Sequence, residues 1–114
     1  PLHVASSMPI RDLEYFAGPR ADGPQVFCSR GANGIDGTLA TALGVAEASG
    51  RPTVLLTGDL AFLHGASALR LSRALTTSLT VVLIDNAGGG IFEHLPIAGF
   101  RDEFEAFWAT PQHV

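Results

Sequence analysis

Asp59 and Asn86 are the two side chains whose type and spacing most directly suggest chemistry. Each follows an apolar, β-branched run: Thr53-Val54-Leu55-Leu56-Thr57 leads into Gly58-Asp59-Leu60, and Leu79-Thr80-Val81-Val82-Leu83-Ile84 leads into Asp85-Asn86-Ala87-Gly88-Gly89-Gly90. Such runs read as buried parallel strands. Asp59 and Asn86 then leave the carboxyl ends of two strands, where open α/β sheets bind ligands. They lie 27 residues apart, the length of one β-α-β unit, so neighbouring strand ends can bring both to one metal ion. A carboxylate, an amide oxygen and the Gly88 carbonyl are hard oxygen ligands suited to Mg²⁺, whose remaining positions diphosphate oxygens and water could fill. The helix after Asp59 is expected to aim its first amides at the phosphate. The plainer alternative is that the glycines only shape a turn and the aspartate only caps a helix.

Composition narrows the chemistry further. All 7 basic residues are arginines, so no lysine can hold phosphates, form a Schiff base or act as a base. Arginine instead suits planar recognition of carboxylates. A net charge of −4 argues against nucleic acid as the main partner. With 46% hydrophobic and only 16% charged residues, the chain is expected to be covered in part by other protein, as a piece of something larger. The single Cys28 cannot form an internal disulfide and is expected to be a small buried hydrophobe. Neither a signal-peptide pattern nor a membrane-spanning apolar run is present, so the expectation is a cytoplasmic protein that does not contact a membrane.

The elements that must position these residues alternate along the chain. Strands are expected at 2–5, 25–28, 53–57 and 79–84, with a brief helical or irregular stretch at 10–16 and a loop at 17–24. A helix is expected over 36–49, closed by Gly50, and another over 61–75 with Leu69, Leu71 and Leu75 on its buried side. Beyond Gly90 the chain turns aromatic and irregular, with a short amphipathic piece at 103–108. Alternating strands and helices predict an α/β fold, a doubly wound parallel sheet with right-handed crossovers, as one domain over 1–114. The turn Arg30-Gly31-Ala32-Asn33-Gly34-Ile35-Asp36-Gly37 joins a strand to a helix, but its glycines lie three apart, so it supports dinucleotide binding only weakly. His64 and His94 are expected to be structural, His64 as a buried, hydrogen-bonded side chain.

Gly58-Asp59 followed by Asn86 resembles the cofactor motif of the thiamine diphosphate-dependent enzymes, among them decarboxylases, acetolactate synthases and transketolases. Four motifs together narrow the resemblance: Ser7-Met8-Pro9-Ile10-Arg11, the 30–37 turn, Gly58-Asp59-Leu60-Ala61-Phe62-Leu63-His64 and Asn86-Ala87-Gly88-Gly89-Gly90-Ile91-Phe92. In that order they resemble the synthases that make 2-succinyl-5-enolpyruvyl-6-hydroxy-3-cyclohexene-1-carboxylate in menaquinone biosynthesis. The resemblance implies a thiamine diphosphate-binding fold, here the C-terminal domain of a longer chain. It implies Asp59, Asn86 and the Gly88 backbone as ligands of Mg²⁺ or Mn²⁺, and Ile35, Gly58, Leu60, Ala61 and Gly88 as cofactor-binding. Ile35 matches the bulky aliphatic side chain that holds the cofactor bent. Ser7, Arg11 and Arg30 match substrate-binding positions, and Ile91, Phe92 and Leu95 match an apolar wall of the active site.

The implied substrates, 2-oxoglutarate and isochorismate, are dicarboxylates, which arginine forks suit. The implied assembly is a homodimer or homotetramer in which the pyrimidine-binding domain of a second subunit completes the site. Two departures stand out. The usual Asn-Asn pair is Asp85-Asn86 here, which retains the proposed ligand. The glutamate that activates the cofactor in this class comes from another domain, and none of Glu14, Glu47, Glu93, Glu103 or Glu105 lies in a matching motif, so no turnover is expected from these 114 residues alone. Alternatives are an acetolactate synthase-like or decarboxylase domain, or a non-catalytic α/β interaction module.

Overall fold

Parallel strands need crossover connections, and the chain supplies them in alternation. A computed structural model describes residues 1–29 and 34–114. Strands β1 (Leu2–Val4), β2 (Val26–Cys28), β3 (Thr53–Gly58) and β4 (Leu79–Ile84) form one all-parallel sheet in the order β2-β1-β3-β4. Helices α1 (Met8–Phe16), α2 (Thr38–Ser49), α3 (Asp59–His64) and α4 (Arg101–Phe107) flank it. The chain steps from β1 outward to β2, then returns past β1 to β3. That reversal makes the doubly wound topology, with a switch point between β1 and β3.

Helix α2 carries the core. Its Leu39, Ala42, Leu43 and Ala46 recur at helical spacing and are buried, and Leu39, Ala42 and Leu43 pack with Leu55 of β3. Phe62, Leu75, Leu79 and Val81 close around them. Glycine ends the helix as expected: Gly50 takes the left-handed conformation (φ 60°) that an L side chain resists. Full burial of a leucine contributes about 2–3 kcal/mol, so Leu39 and Leu55 are principal anchors of this layer.

The strands are less buried than their composition suggests. On β3 and β4 the residues facing α2 are covered, while alternate ones are open, Val54 at 37% and Val82 at 45% exposure. Helix α1 covers Val4 but leaves the β4 side of its face uncovered. A second correction concerns the expected helix over 61–75. α3 stops at Gly65, and a 3₁₀ helix (Ala66–Ala74) follows. Gly65 sits so close to Leu39 that a side chain there would press on it at 3.3 Å, which forces the change of direction. The tighter helix turns Leu69 and Leu71 to solvent, whereas Leu75 reaches the core. A third correction is Cys28, which is exposed because β2 is an edge strand.

One buried residue went unnoticed in the sequence. His3 lies in β1 between Phe27 and Leu55, is 1% exposed, and its Nδ1 finds no hydrogen-bond partner among the described residues. Burial lowers its pKa, so the imidazole is neutral in the fold. The unfolded chain takes up a proton below about pH 6.5, the ordinary histidine value, and the folded chain does so only at lower pH. Stability is therefore expected to fall as pH drops through 6.5 toward the depressed folded value, by up to about 1.4 kcal/mol per pH unit. Urea denaturation at pH 7.5 and 5.0 checks this: His3→Leu should flatten the difference, and an unchanged difference contradicts it.

Candidate active site

Because β1 and β3 diverge at the switch point, the loops that leave their carboxyl ends frame a crevice. A cavity of about 320 Å³ lies there. Ser6 and Ser7 enter it from the end of β1, Gly58, Asp59, Leu60 and Ala61 from β3, and Asn86, Gly88, Gly89 and Gly90 from β4. Ile35, Ile91 and Phe92 supply apolar walls. Thus Asp59 and Asn86, far apart in sequence, face one shared space, with most of the other site residues read from the sequence.

Asp59 organises the site. Only 2% exposed at the start of α3, its Oδ2 accepts the Gly88 N–H at 2.7 Å and its Oδ1 accepts the Leu60 N–H at 2.7 Å. Each carboxylate oxygen keeps a further lone pair for a metal. The Leu60 amide is committed to Asp59, so it does not serve as the free phosphate donor expected from the sequence. Asp85 closes the other strand end, its Oδ1 accepting the Ala87 N–H at 2.9 Å and supporting Ala87 at φ 62°. The Gly88 carbonyl accepts the Gly90 N–H at 3.0 Å and retains one lone pair. The Asn86 amide lies directly against Gly90, where a Cβ would collide with it.

The donor set was tested against the implied metal. Among the described residues no three His, Cys, Asp or Glu side chains gather as a self-sufficient metal site. One buried carboxylate, one amide and one peptide carbonyl form a partial oxygen set, which fits Mg²⁺ that takes its other ligands from phosphate and water. Charge points the same way. Asp12 and Asp59 line the cavity and no described basic side chain does, so a diphosphate needs a divalent cation to enter. Asp12 was not singled out in the sequence; its place one turn into a helix that starts at a strand end was the available signal.

The remaining site residues fall differently. Ser7 lines the cavity in a backbone conformation (φ 99°, ψ −144°) that glycine favours. Arg11 does not line it, and its Nη1 donates to the Ser7 carbonyl at 2.5 Å, holding the loop one turn back. Leu95 is 46% exposed and outside the cavity lining. Arg30 lies outside the described residues. His64 is half exposed rather than buried, with Nε2 3.3 Å from Asp36 Oδ1, because α3 ends at the surface there. His94 is exposed.

Sequence comparison agrees with this arrangement. The chain is 56% identical over its full 114 residues to 2-succinyl-5-enolpyruvyl-6-hydroxy-3-cyclohexene-1-carboxylate synthase of Synechococcus sp. (strain JA-3-3Ab). The chain matches a segment of that synthase family. The synthase of that name from Synechococcus elongatus is 55% identical over all 114 residues, and that from Trichodesmium erythraeum 53% over 99% of the chain. The chain spans 19% of the length of each of these relatives. No protein-family model matches it. Among the described residues no helix is long and apolar enough to cross a membrane.

Proposed function

We propose that this chain is the diphosphate- and Mg²⁺-binding part of a thiamine diphosphate-dependent synthase. In this reading the complete enzyme decarboxylates 2-oxoglutarate and adds the succinyl unit to isochorismate, a step of menaquinone biosynthesis in the cytoplasm. The observation that carries the reading is the single cavity in which Asp59, Asn86 and the Gly88 turn meet at the switch point. The full-length identity to synthases of that name supports the substrate pair. Manganese would fit the same oxygen donors.

Thiamine diphosphate, when bound, supplies the electron sink for decarboxylation and carbon transfer. The chain's own residues hold and shape. Asp59, Asn86 and the Gly88 carbonyl would hold the cation, and Gly58, Leu60 and Ala61 would border the diphosphate. Ile35 would press on the cofactor from the apolar side, and Ile91 and Phe92 would exclude water from the reacting face. Ser7 would meet a substrate carboxylate directly, Arg11 would steady the Ser7 loop, and Arg30 would receive a carboxylate. Leu95 would join the apolar wall only after movement of its 3₁₀ segment.

The open apolar face of β3 and β4 supports association with further protein, in this reading the pyrimidine-binding domain and a second subunit. That domain would bring the activating glutamate, so the 114 residues alone are expected to show no turnover. Calorimetric titration with thiamine diphosphate tests the reading. Binding is expected with Mg²⁺ and is expected to fall at least tenfold in EDTA. Equal affinity in both, or none in either, rejects it in favour of a non-catalytic module.

A further inference from the structure

The Gly88-Gly89 turn is held from two sides, and only one of them belongs to the Asp59 site. On the far side, residues 108–112 cross the turn. The Gly89 N–H donates to the Ala109 carbonyl at 2.7 Å, and the Gln112 N–H donates to the Ala87 carbonyl at 3.2 Å. The approach is so close that a Cβ on Gly88 would strike the Ala109 and Thr110 carbonyl oxygens, and one on Gly89 would strike that of Trp108. Trp108 adds a side-chain contact: its ring meets the Phe92 ring edge-on, with centroids 5.2 Å apart and planes at 75°. Such pairs contribute beyond simple area burial.

This crossing segment is itself anchored. The Phe104 carbonyl accepts both the Trp108 N–H at 2.8 Å and the Ala109 N–H at 2.9 Å. Phe104 is 2% exposed, so the end of α4 is pinned by a buried side chain. A continuous set of contacts therefore runs from Phe104 through Trp108 to the turn and to Phe92, which lines the cavity. The Gly88 peptide sits where this set meets Asp59: its N–H is bound by the carboxylate, and the next peptide N–H is bound by Ala109.

From these contacts we infer that Trp108 is a positioning residue, a latch that holds the Gly88-Gly89 turn against Asp59 without touching the bound group. Its importance for catalysis rests on the proposed metal and diphosphate reading, but the latch itself does not. Trp108 contacts no cavity-lining residue on the Asp59 side, and its effect passes through Phe92 and the 109–112 backbone.

Trp108→Ala and Trp108→Phe in this chain test the latch. Amide hydrogen exchange is read at Gly88 and Gly89, with Leu55 and Val81 as core references, in the absence of any ligand. Trp108→Ala should accelerate exchange at Gly88 and Gly89 at least tenfold and leave Leu55 and Val81 within twofold, and Trp108→Phe should restore most of the protection. Glycine amides that stay within twofold overturn the inference. Should the core references accelerate too, Gln112→Pro decides: it removes only the N–H bonded to Ala87, and it must accelerate Gly89 at least threefold or the latch is rejected. In a second arm, thiamine diphosphate is titrated at saturating MgCl2, where Trp108→Ala should weaken binding about tenfold. An unsubstituted chain that binds nothing sinks the proposed function, while the exchange result still judges the latch.

Discussion

Replacing Asp59 with alanine is expected to abolish Mg²⁺-dependent thiamine diphosphate binding, by at least a hundredfold, and to destabilise the fold. The two effects share one cause. The carboxylate is buried and accepts two backbone N–H groups, one from its own helix and one from the glycine turn of the adjacent strand. Hydrogen bonds to a charged group contribute about 1.5–3 kcal/mol each, and an orphaned buried N–H costs about 1–3 kcal/mol. The Gly88 N–H is buried and has no water to replace the lost oxygen. A loss of about 2–4 kcal/mol in urea denaturation is the expected result. Asp59→Asn separates the roles. It keeps the shape and one acceptor but turns an NH₂ toward a backbone donor and removes the charge. It should recover part of the stability while still failing to bind the cation. Full metal-dependent binding by either variant would remove Asp59 from the ligand set.

The second large effect is expected at Gly88. Its φ of 140° lies where side chains are strained, and the space a Cβ would take is filled by the carbonyls of Ala109 and Thr110. Backbone strain of this kind costs about 1–3 kcal/mol, and overpacking a tight contact adds about 1–3 kcal/mol. Gly88→Ala should therefore lower stability by about 3 kcal/mol or more, unless residues 108–112 detach. Detachment would appear as rapid exchange of the Gly89 and Gln112 amides with an intact core. Gly18→Ala is the control, since nothing lies within 4 Å of the position its Cβ would occupy. Near-equal stability of the Gly88→Ala and Gly18→Ala variants would contradict the close crossing.

Much of this architecture can be read along the chain because its determinants are local. The β-branched runs at 53–57 and 79–84 become β3 and β4, and the alanine-rich stretch before Gly50 becomes α2 with the expected face inward. Errors arose where a neighbour at long range decides the outcome. Leu69 and Leu71 fit a helical pattern, yet the approach of Gly65 to Leu39 ends α3 early and turns them outward. Cys28 and Val82 are apolar but exposed, because their positions in the sheet leave nothing packed on that side. His3 carries no local signal of its burial, which comes from its neighbours Phe27 and Leu55.

The same division runs through the site. Residue order alone was enough to choose the oxygen donors, Asp59, Asn86 and the Gly88 peptide, since strand ends and glycine turns are short-range features. That these donors share one cavity with Ser7 and Ile35, and that Trp108 and Ala109 close over the turn, follows from strand order and from how α4 returns to the sheet. Those contacts join segments 20 to 80 positions apart along the chain, roughly, and such pairings arise only once a closed loop's entropy cost is offset by packing.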